Sequence, residues 1–288
     1  MRQYTQGLRG SKKYSIASSA PISKQELQER VPAIFAEQPY ATCSEKYRFV
    51  STWQFLEALA EEGFFPYKAA QATPKAEDRL GYAKHIINLR RSDMIGQREA
   101  QELIFVGSAD KTSGTVLLGG VFSFSCANGL CVGSMIQEQR FTHLGHNDTD
   151  RVIEGAYTVL NQFDEVGQYI DEWKGTRLTG AEQEAYATSA LALRYGTEEE
   201  REGKPYPIQP YQILRAKRSE DMTPTLWNTF NKVQEHLVKG GVKGISTSDT
   251  GQRRRSTTRP VNSISDNVRL NRALWDLTTK MAELKVTH

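Results

Sequence analysis

Two cysteines and two histidines near the middle of the chain are the residues whose types and spacing come closest to a metal site. Cys126 and Cys131 are separated by four residues, which zinc sites tolerate, and His143 and His146 follow them. Only two residues separate the histidines, which is shorter than the usual zinc-binding spacing. We therefore favour core packing for the thiols and a surface position for the histidines, and we predict no metal site. Whether these four residues ever bind zinc stays open at this point.

No other pattern of reactive side chains predicts catalysis. The glycine-rich segment 240–244 follows a predicted helix instead of joining a strand to a helix, so we expect no phosphate-binding loop of a nucleotide hydrolase. Four carboxylates bracket a predicted strand without magnesium-ligand spacing: Asp93, Glu99, Glu102 and Asp110. We predict a protein that is not an enzyme and has no cofactor. A metal-dependent enzyme acting on nucleic acid, using Asp110, His143 or His146, is kept as a third hypothesis.

Ten lysine and arginine residues form the predicted nucleic-acid-binding set. Cationic side chains neutralise phosphates without preference for base sequence. The ten residues are Arg90, Arg91, Arg98, Lys111, Lys239, Lys243, Arg253, Arg254, Arg255 and Arg259. The competing interpretation, above all for the run at 253–255, is a charged and solvated loop. Phe64, Phe65 and Tyr67 could stack on bases, but three aromatic residues entering a strand favour core packing.

Charge is distributed unevenly along the 288 residues, although the formal net charge is only +3. Residues 1–50 carry +4 and residues 204–288 carry +8, whereas residues 51–150 carry −3 and residues 151–203 carry −6. Basic ends favour a polyanionic partner, and an acidic surface can mimic DNA towards a DNA-binding protein. The charge pattern therefore supports two different kinds of partner.

Other compositional features favour the cytoplasm. The longest apolar runs are too short to span a bilayer, which excludes a transmembrane protein. No apolar segment follows the basic N-terminus, so we do not expect secretion. Three cysteines are too few for a disulfide framework and favour reduced thiols. We predict a cytoplasmic protein that does not bind membranes.

Helix signals are clearest at capping residues. Ser23 and Glu26 form a capping box before a short helix that Pro32 closes, and Thr179 and Glu182 form a second box. We expect Thr52 to cap a helix that ends at Gly63. Thr223 before Pro224 predicts the start of an amphipathic helix that Gly240 and Gly241 end. A last helix should carry Val268, Leu274 and Met281 on its apolar positions.

The middle of the chain predicts an antiparallel sheet. Runs rich in β-forming residues lie at 82–89, 102–106 and 115–124, and the segment 107–114 has the composition of a hairpin connection. Asn128-Gly129 predicts a tight turn. From Asp148 onward, seven apolar residues from Val152 to Trp173 follow helical spacing and predict a long covering helix. The predicted fold class is α+β, an antiparallel β-meander packed against a long helix, with additional C-terminal helices.

We predict three regions along the chain. Residues 1–22 form a basic, flexible arm, residues 23–203 an α+β core domain, and residues 204–288 a helical C-terminal region that packs on the core. The boundary lies within the proline-rich connection that ends at Pro210. Residues 242–259 show no apolar periodicity and are predicted to be a basic loop.

Short blocks of sequence resemble a known family. They are Phe122-x3-Cys126-x-Asn128-Gly129-Leu130, His143-x-Gly145, Val152–Tyr157, Asn231–Glu235, Gly240-Gly241, Arg259 and Asn271–Trp275. In this order, between about Tyr47 and Met281, they resemble the phage/plasmid-like proteins with domain of unknown function 932, which include uncharacterised prophage proteins of enteric bacteria. Where that family tends to have Asn-Ser-His-Asp-Gly, this chain has Gly107-Ser-Ala-Asp110-Lys. The absence of this histidine is evidence against a catalytic role for the predicted hairpin connection at 107–114.

The resemblance implies a mobile-element protein of the bacterial cytoplasm without an established activity. The coarse architecture is also similar to the single-strand annealing proteins of phages and of eukaryotic recombination, an analogy of fold only. Our leading hypothesis is a protein that binds single-stranded DNA, promotes annealing in recombination without enzymatic activity, and acts as a homo-oligomer. The alternative is an inhibitor that binds a host defence protein through the acidic stretch 151–203, in particular Glu198–Glu200.

Overall fold

The structure, a computed structural model, describes residues 12–43, 49, 51–92, 99–123, 126–131, 139–141, 154–158, 163–248 and 250–286. The chain divides into two compact units, Met1–Phe163 and Asp164–His288. The first unit contains an antiparallel sheet, and the second contains helices and a separate β-hairpin. The predicted boundary at residues 203/204 lies inside the second unit.

The sheet of the first unit is a meander with strands added at both ends. Its strands are β1 (Ser15–Ala17), β2 (Phe64–Gln71), β3 (His85–Arg91), β4 (Glu99–Gly107), β5 (Thr115–Ser123), β6 (Cys126–Cys131) and β7 (Gln139–Phe141). Strands β1 to β6 lie side by side in chain order, β7 pairs with β5, and every pairing is antiparallel. The predicted α+β class with an antiparallel meander is confirmed. Residues 15–17 of the predicted flexible arm are a strand of this sheet.

Two details of the sheet differ from the sequence prediction. Asn128 and Gly129 lie within β6 and not in a tight turn, because this segment pairs with β5. The third strand begins at His85 because residues 77–82 form a 3-10 helix. Residues 85–90 are all buried, so both faces of β3 are covered, which explains its imperfect apolar alternation. The hairpin connection predicted at 107–114 joins β4 to β5, as expected.

Among the described residues, the first unit has the helices α1 (Lys24–Arg30) and α2 (Thr52–Glu61), a helical piece at 154–158, and 3-10 segments at Lys12–Tyr14, Pro32–Phe35 and Glu77–Tyr82. The capping box before α1 is confirmed. The cap of α2 is Ser51 and not Thr52, because the Thr52 hydroxyl points into the core and lies 3.0 Å from His85 Nε2. Helix α2 packs on the sheet, with the Phe55 and Phe105 ring centroids 4.8 Å apart.

The predicted long covering helix is described only in pieces. Residues 154–158 are helical, and α3 (Phe163–Gly175) follows; all of α3 except its first residue belongs to the second unit. Residues 159–162 lie outside the described part of the chain, so the continuity of this helix and its position over the sheet stay predictions.

The second unit consists of α3, α4 (Gly180–Tyr195), α5 (Pro210–Ile213), a 3-10 helix (Ser219–Met222), α6 (Leu226–Lys239), a hairpin of β8 (Lys243–Thr247) and β9 (Arg253–Thr257), and α7 (Ile264–Val286). Its core centres on Trp173 and Trp275, whose ring centroids are 4.3 Å apart, and on Phe230, which meets Trp275 edge-on at 6.2 Å. The capping box at Thr179 is confirmed, and Gly240, at φ 64°, ends α6 as predicted.

Two predictions for this unit are wrong. Thr225 caps α6 in place of Thr223, because the chain is still extended at Thr223 after the preceding 3-10 helix. Residues 242–259 contain a two-stranded hairpin and are not a loop without regular structure. The hairpin has almost no apolar side chains, so the sequence lacks the alternation that normally identifies strands.

Candidate nucleic-acid interface

The hairpin gathers four of the ten predicted cations. Lys243 pairs with Thr257, Ile245 with Arg255 and Thr247 with Arg253. Because alternate residues of a strand share a face and cross-strand partners lie side by side, Lys243, Arg253 and Arg255 all lie on one face of the hairpin. Arg254 is on the other face, where it pairs with Ser246 across the hairpin. Its guanidinium donates to Gln252 Oε1 at 3.1 Å.

The cations of this face are free to meet an anion. Lys243, Arg253 and Arg255 are exposed. Among the described residues, no carboxylate forms an ion pair with any of the three. Three like charges without internal neutralisation make this face attractive to polyanions.

The hairpin is fixed to residues 207–212, which lead into α5 and include part of it. The Ile245 amide donates to Pro207 O at 2.8 Å, and Gln212 Nε2 donates to Lys243 O at 2.8 Å. A Cβ atom added at Gly244 would collide with the carbonyl oxygen of Pro207. Glycine at 244 therefore permits the close approach on which this arrangement depends.

A groove of about 720 Å³ lies between the hairpin and residues 205–212. Its lining combines the three cations with apolar groups: Pro205, Tyr206, Pro207, Ile208, Gln209, Tyr211, Gln212, Lys243, Gly244, Ile245, Thr247, Arg253, Arg255, Ser256 and Thr257. Two large hydrophobic side chains in it are unusually exposed, Tyr211 at 61% and Ile245 at 42%. Cations beside exposed apolar groups are suited to a ligand that carries phosphates and flat rings.

The other two predicted cations of the second unit lie near the end of α6 and the base of the hairpin. Lys239 pairs with Glu235 at 2.9 Å, in a cluster where Glu235 also meets Lys217 at 3.7 Å and Arg218 at 3.0 Å. Burial raises the pKa of Glu235, but the surrounding cations outweigh it and hold the pKa below its usual value. Lys239 is therefore partly neutralised, whereas Arg259 is exposed.

Arg90, in the first unit, is buried in the sheet. Its side chain is 5% exposed, and its Nη2 atom lies 3.4 Å from Glu102 Oε2. The guanidinium lies 3.7 Å from the centroid of the Tyr67 ring, and the Tyr67 hydroxyl donates to Glu102. Asn88 Nδ2 donates to Glu102 Oε1 at 2.9 Å. Arg90 thus neutralises a buried carboxylate and is not accessible to a phosphate in solution.

The same cluster explains the aromatic residues that precede it. Phe64 and Tyr67 are buried, so the predicted core packing applies to both. Burial and the adjacent carboxylate of Glu102 raise the pKa of Tyr67 well above its usual value. The Tyr67 hydroxyl therefore stays protonated and donates to Glu102.

The remaining predicted cations have different surroundings. Arg91 is exposed at the end of β3. Lys111 is exposed at the β4–β5 connection, has φ 57°, and donates to Thr42 O at 3.2 Å. Arg98 lies outside the described residues. The structure therefore groups the cations of the hairpin, with Arg259 just beyond β9, whereas Arg90, Arg91 and Lys111 belong to the first unit.

The residues considered for a zinc site or for a metal-dependent enzyme lie only partly within the described ranges. The side chains of Cys126 and Cys131, and all of Asp93, His143 and His146, lie outside the described part. Asp110 accepts from the Thr112 amide at 3.1 Å, which shapes the β4–β5 turn. Within the described ranges, no three His, Cys, Asp or Glu residues are grouped to hold a metal ion, and no helix there is long and apolar enough to cross a bilayer.

In the acidic run 198–200, which the inhibitor hypothesis would use as its contact surface, Glu200 has a local structural role. Glu200 Oε2 accepts from the Thr197 amide at 2.8 Å, and so it caps a turn. Glu198 and Glu199 are exposed beside it.

Sequence reasoning missed the apolar half of the groove. Tyr211, Ile245 and Gly244 were not among the predicted site residues. Tyr211 follows Pro210 at the end of the proline-rich connection, and an aromatic residue outside any periodic apolar pattern is the signal that could have identified it.

Comparison with known proteins identifies the family. The sequence model of the family described as domain of unknown function (DUF932) matches residues 39–275. Two similar proteins are from Escherichia coli (strain K12): UPF0380 protein YafZ, 36% identical, and UPF0380 protein YfjQ, 35% identical. Each alignment spans 260 residues, covering 90% of this chain and 91% of the relative. No solved structure matches significantly. The chain therefore belongs to the DUF932 family, which confirms the resemblance found in its sequence blocks.

Proposed function

We propose that this protein binds single-stranded DNA through the exposed face of the β8–β9 hairpin. The observation that carries the proposal is the placement of Lys243, Arg253 and Arg255 on one face, with no carboxylate partner among the described residues. Arg254, on the other face, adds to the local field, and Arg259 lies just beyond β9. Such a surface binds the DNA backbone through its phosphates.

Phosphate contacts of this kind leave the base edges free. A protein that holds the backbone and exposes the hydrogen-bonding edges can present one strand to its complement, which is the physical basis of annealing. Three cations per chain bind weakly, so we further propose that several copies act along one strand, where linked contacts multiply. A mobile-element protein that anneals strands in the bacterial cytoplasm is consistent with these features.

The test is the salt dependence of binding to a labelled single-stranded oligonucleotide. For single strands the slope of log K against log salt is about −0.7 per neutralised phosphate, so three contacts predict about a 20-fold loss between about 50 and about 200 mM salt. The variant with Lys243, Arg253 and Arg255 all changed to Gln should bind weakly at low salt and lose most of this slope. Fluorescence anisotropy measures both quantities.

A matched control removes three cations that are already neutralised. Lys174, Arg269 and Lys280 each pair with a carboxylate three residues away, at 3.3, 3.5 and 2.8 Å. Changing all three to Gln alters the net charge equally and should leave affinity and slope near those of the wild type. Equal losses in both variants, or none in the hairpin variant, would contradict the proposal. A stoichiometric host protein copurifying without nucleic acid would support the inhibitor hypothesis instead.

A further inference from the structure

We infer that Tyr211, with Ile245 in the same groove, is a base-stacking platform that makes the groove selective for unpaired bases. This inference rests on the proposed function and adds the residue that distinguishes a single strand from a duplex. Tyr211 and Ile245 are exposed large hydrophobic side chains, and both line the groove that holds the three cations.

The position of Tyr211 is fixed on both sides along the chain. Gln212 accepts from the Gln209 amide at 2.8 Å through Oε1, and it donates to Lys243 O through Nε2. Ile213 is fully buried in the unit's core. The turn between these anchors is held firmly, so the exposed ring is presented at little cost in conformational entropy.

The neighbouring strand supplies the second apolar element. Ile245 is held by its amide bond to Pro207 O and lies across from Arg255 in the hairpin. A base stacked on the tyrosine ring would have its phosphates within the field of Arg253, Arg255 and Lys243. The groove volume of about 720 Å³ is in the range of sites that hold compact organic ligands.

Stacking and phosphate binding separate single strands from duplexes. Every base has a flat face, so stacking on an aromatic ring is tolerant of sequence. In a duplex these faces are already covered by neighbouring base pairs, whereas the phosphates remain available. The cations therefore contribute to both forms of DNA, and Tyr211 contributes only to the unpaired form. Stacking also leaves the Watson–Crick edge free, which annealing requires.

The experiment compares Tyr211→Ala, Tyr211→Phe and the wild type on labelled oligothymidylate and on a blunt duplex of equal length. Tyr211→Ala should lose about tenfold in affinity for the single strand. Its affinity for the duplex and its salt slope should stay unchanged. Tyr211→Phe keeps the ring and should bind as the wild type does.

Met222→Ala is the control, since Met222 is also exposed, at 70%, but does not line the groove. Far-ultraviolet circular dichroism confirms that each variant is folded. Equal affinities of Tyr211→Ala and wild type for the single strand would overturn the stacking inference, while a loss in the hairpin Gln variant would still uphold the proposed function. If the hairpin variant also binds normally, or the wild type does not bind, both fail.

Discussion

Arg90 and Arg255 both lie on antiparallel strands, yet the structure gives them opposite environments. Arg90 is enclosed in the sheet of the first unit, against the Glu102 carboxylate and the Tyr67 ring. Arg255 lies on the exposed hairpin of the second unit, opposite Ile245. A strand position gives an arginine no function by itself, because the cross-strand neighbour decides whether its charge is used internally or presented to a partner.

The largest effect that tests this contrast is expected from Glu102→Ala. Glu102 is fully buried, and its loss leaves the Arg90 guanidinium without its carboxylate in the sheet. Removing one partner of a buried pair typically destabilises by about 3–5 kcal/mol. Urea unfolding should show this loss, and hydrogen exchange should locate it in peptides from β3 and β4.

Arg255→Ala is the comparison for that experiment. Arg255 is exposed and has no ion pair among the described residues, so its stability change should stay within about 0.5 kcal/mol. If the two variants were destabilised equally, the proposed difference between the buried and the exposed arginine would be wrong.

A second effect concerns the buried His85 in the same sheet. Burial lowers the pKa of His85 to about 4, while its Nδ1 lies 3.0 Å from Ala83 O and its Nε2 3.0 Å from the Thr52 hydroxyl. Asp110 acts in the opposite direction but does not offset burial. In the unfolded chain His85 takes up a proton near pH 6.5, whereas in the folded chain it does so only near pH 4. The free energy of unfolding therefore falls as the pH drops from 6.5 towards 4.

The loss of unfolding free energy approaches about 3 kcal/mol once His85 is protonated in both states, since each pKa unit corresponds to about 1.4 kcal/mol. His85→Gln keeps polar atoms at the site and does not titrate. Unfolding free energies measured from neutral pH to pH 4 should therefore fall more steeply for the wild type than for His85→Gln. Parallel pH profiles would show that His85 is not the source of the acid sensitivity.

The third effect tests the anchoring of the hairpin. In Gly244→Ala the added methyl group would meet the Pro207 carbonyl, so the hairpin or the 205–208 segment must shift. Overpacking of this kind typically costs about 1–3 kcal/mol. Thermal unfolding and faster hydrogen exchange in peptides covering 243–257 should report it, together with weaker oligonucleotide binding.

Gly180→Ala is the matched control for this substitution. No atom lies within 4 Å of a Cβ added at Gly180, which begins α4. Alanine is the better helix former, so stability should be unchanged or slightly higher. A hairpin that exchanges normally in Gly244→Ala would disprove the role given to the close contact with Pro207.

The sequence predicted the elements with strong local signals. The capping boxes at Ser23 and Thr179 and the glycine stop of α6 depend on a few neighbouring residues, and all three are confirmed. The order of the meander followed from turn composition and apolar runs. The hairpin at 243–257 was missed because its strands are stabilised by contacts with Pro207 and Gln212, which are distant in sequence.

The candidate site was only partly predictable, because the positions of its side chains depend on strand pairing. Counting charge along the chain found Lys243 and Arg253–Arg255, but it could not show that Arg254 faces the other way. Nor could it show that Arg90 meets Glu102 across neighbouring strands. Such pairings depend on register, which a single sequence specifies only weakly in a strand without apolar alternation.

The most direct test of the hairpin as the DNA-binding surface is photocrosslinking of the full chain to an oligonucleotide containing bromodeoxyuridine, followed by peptide mapping with mass spectrometry. The expected result is crosslinks within residues 205–212 and 243–257, with Tyr211 as the principal site. Crosslinks confined to Met1–Phe163, with none on these two segments, would contradict it.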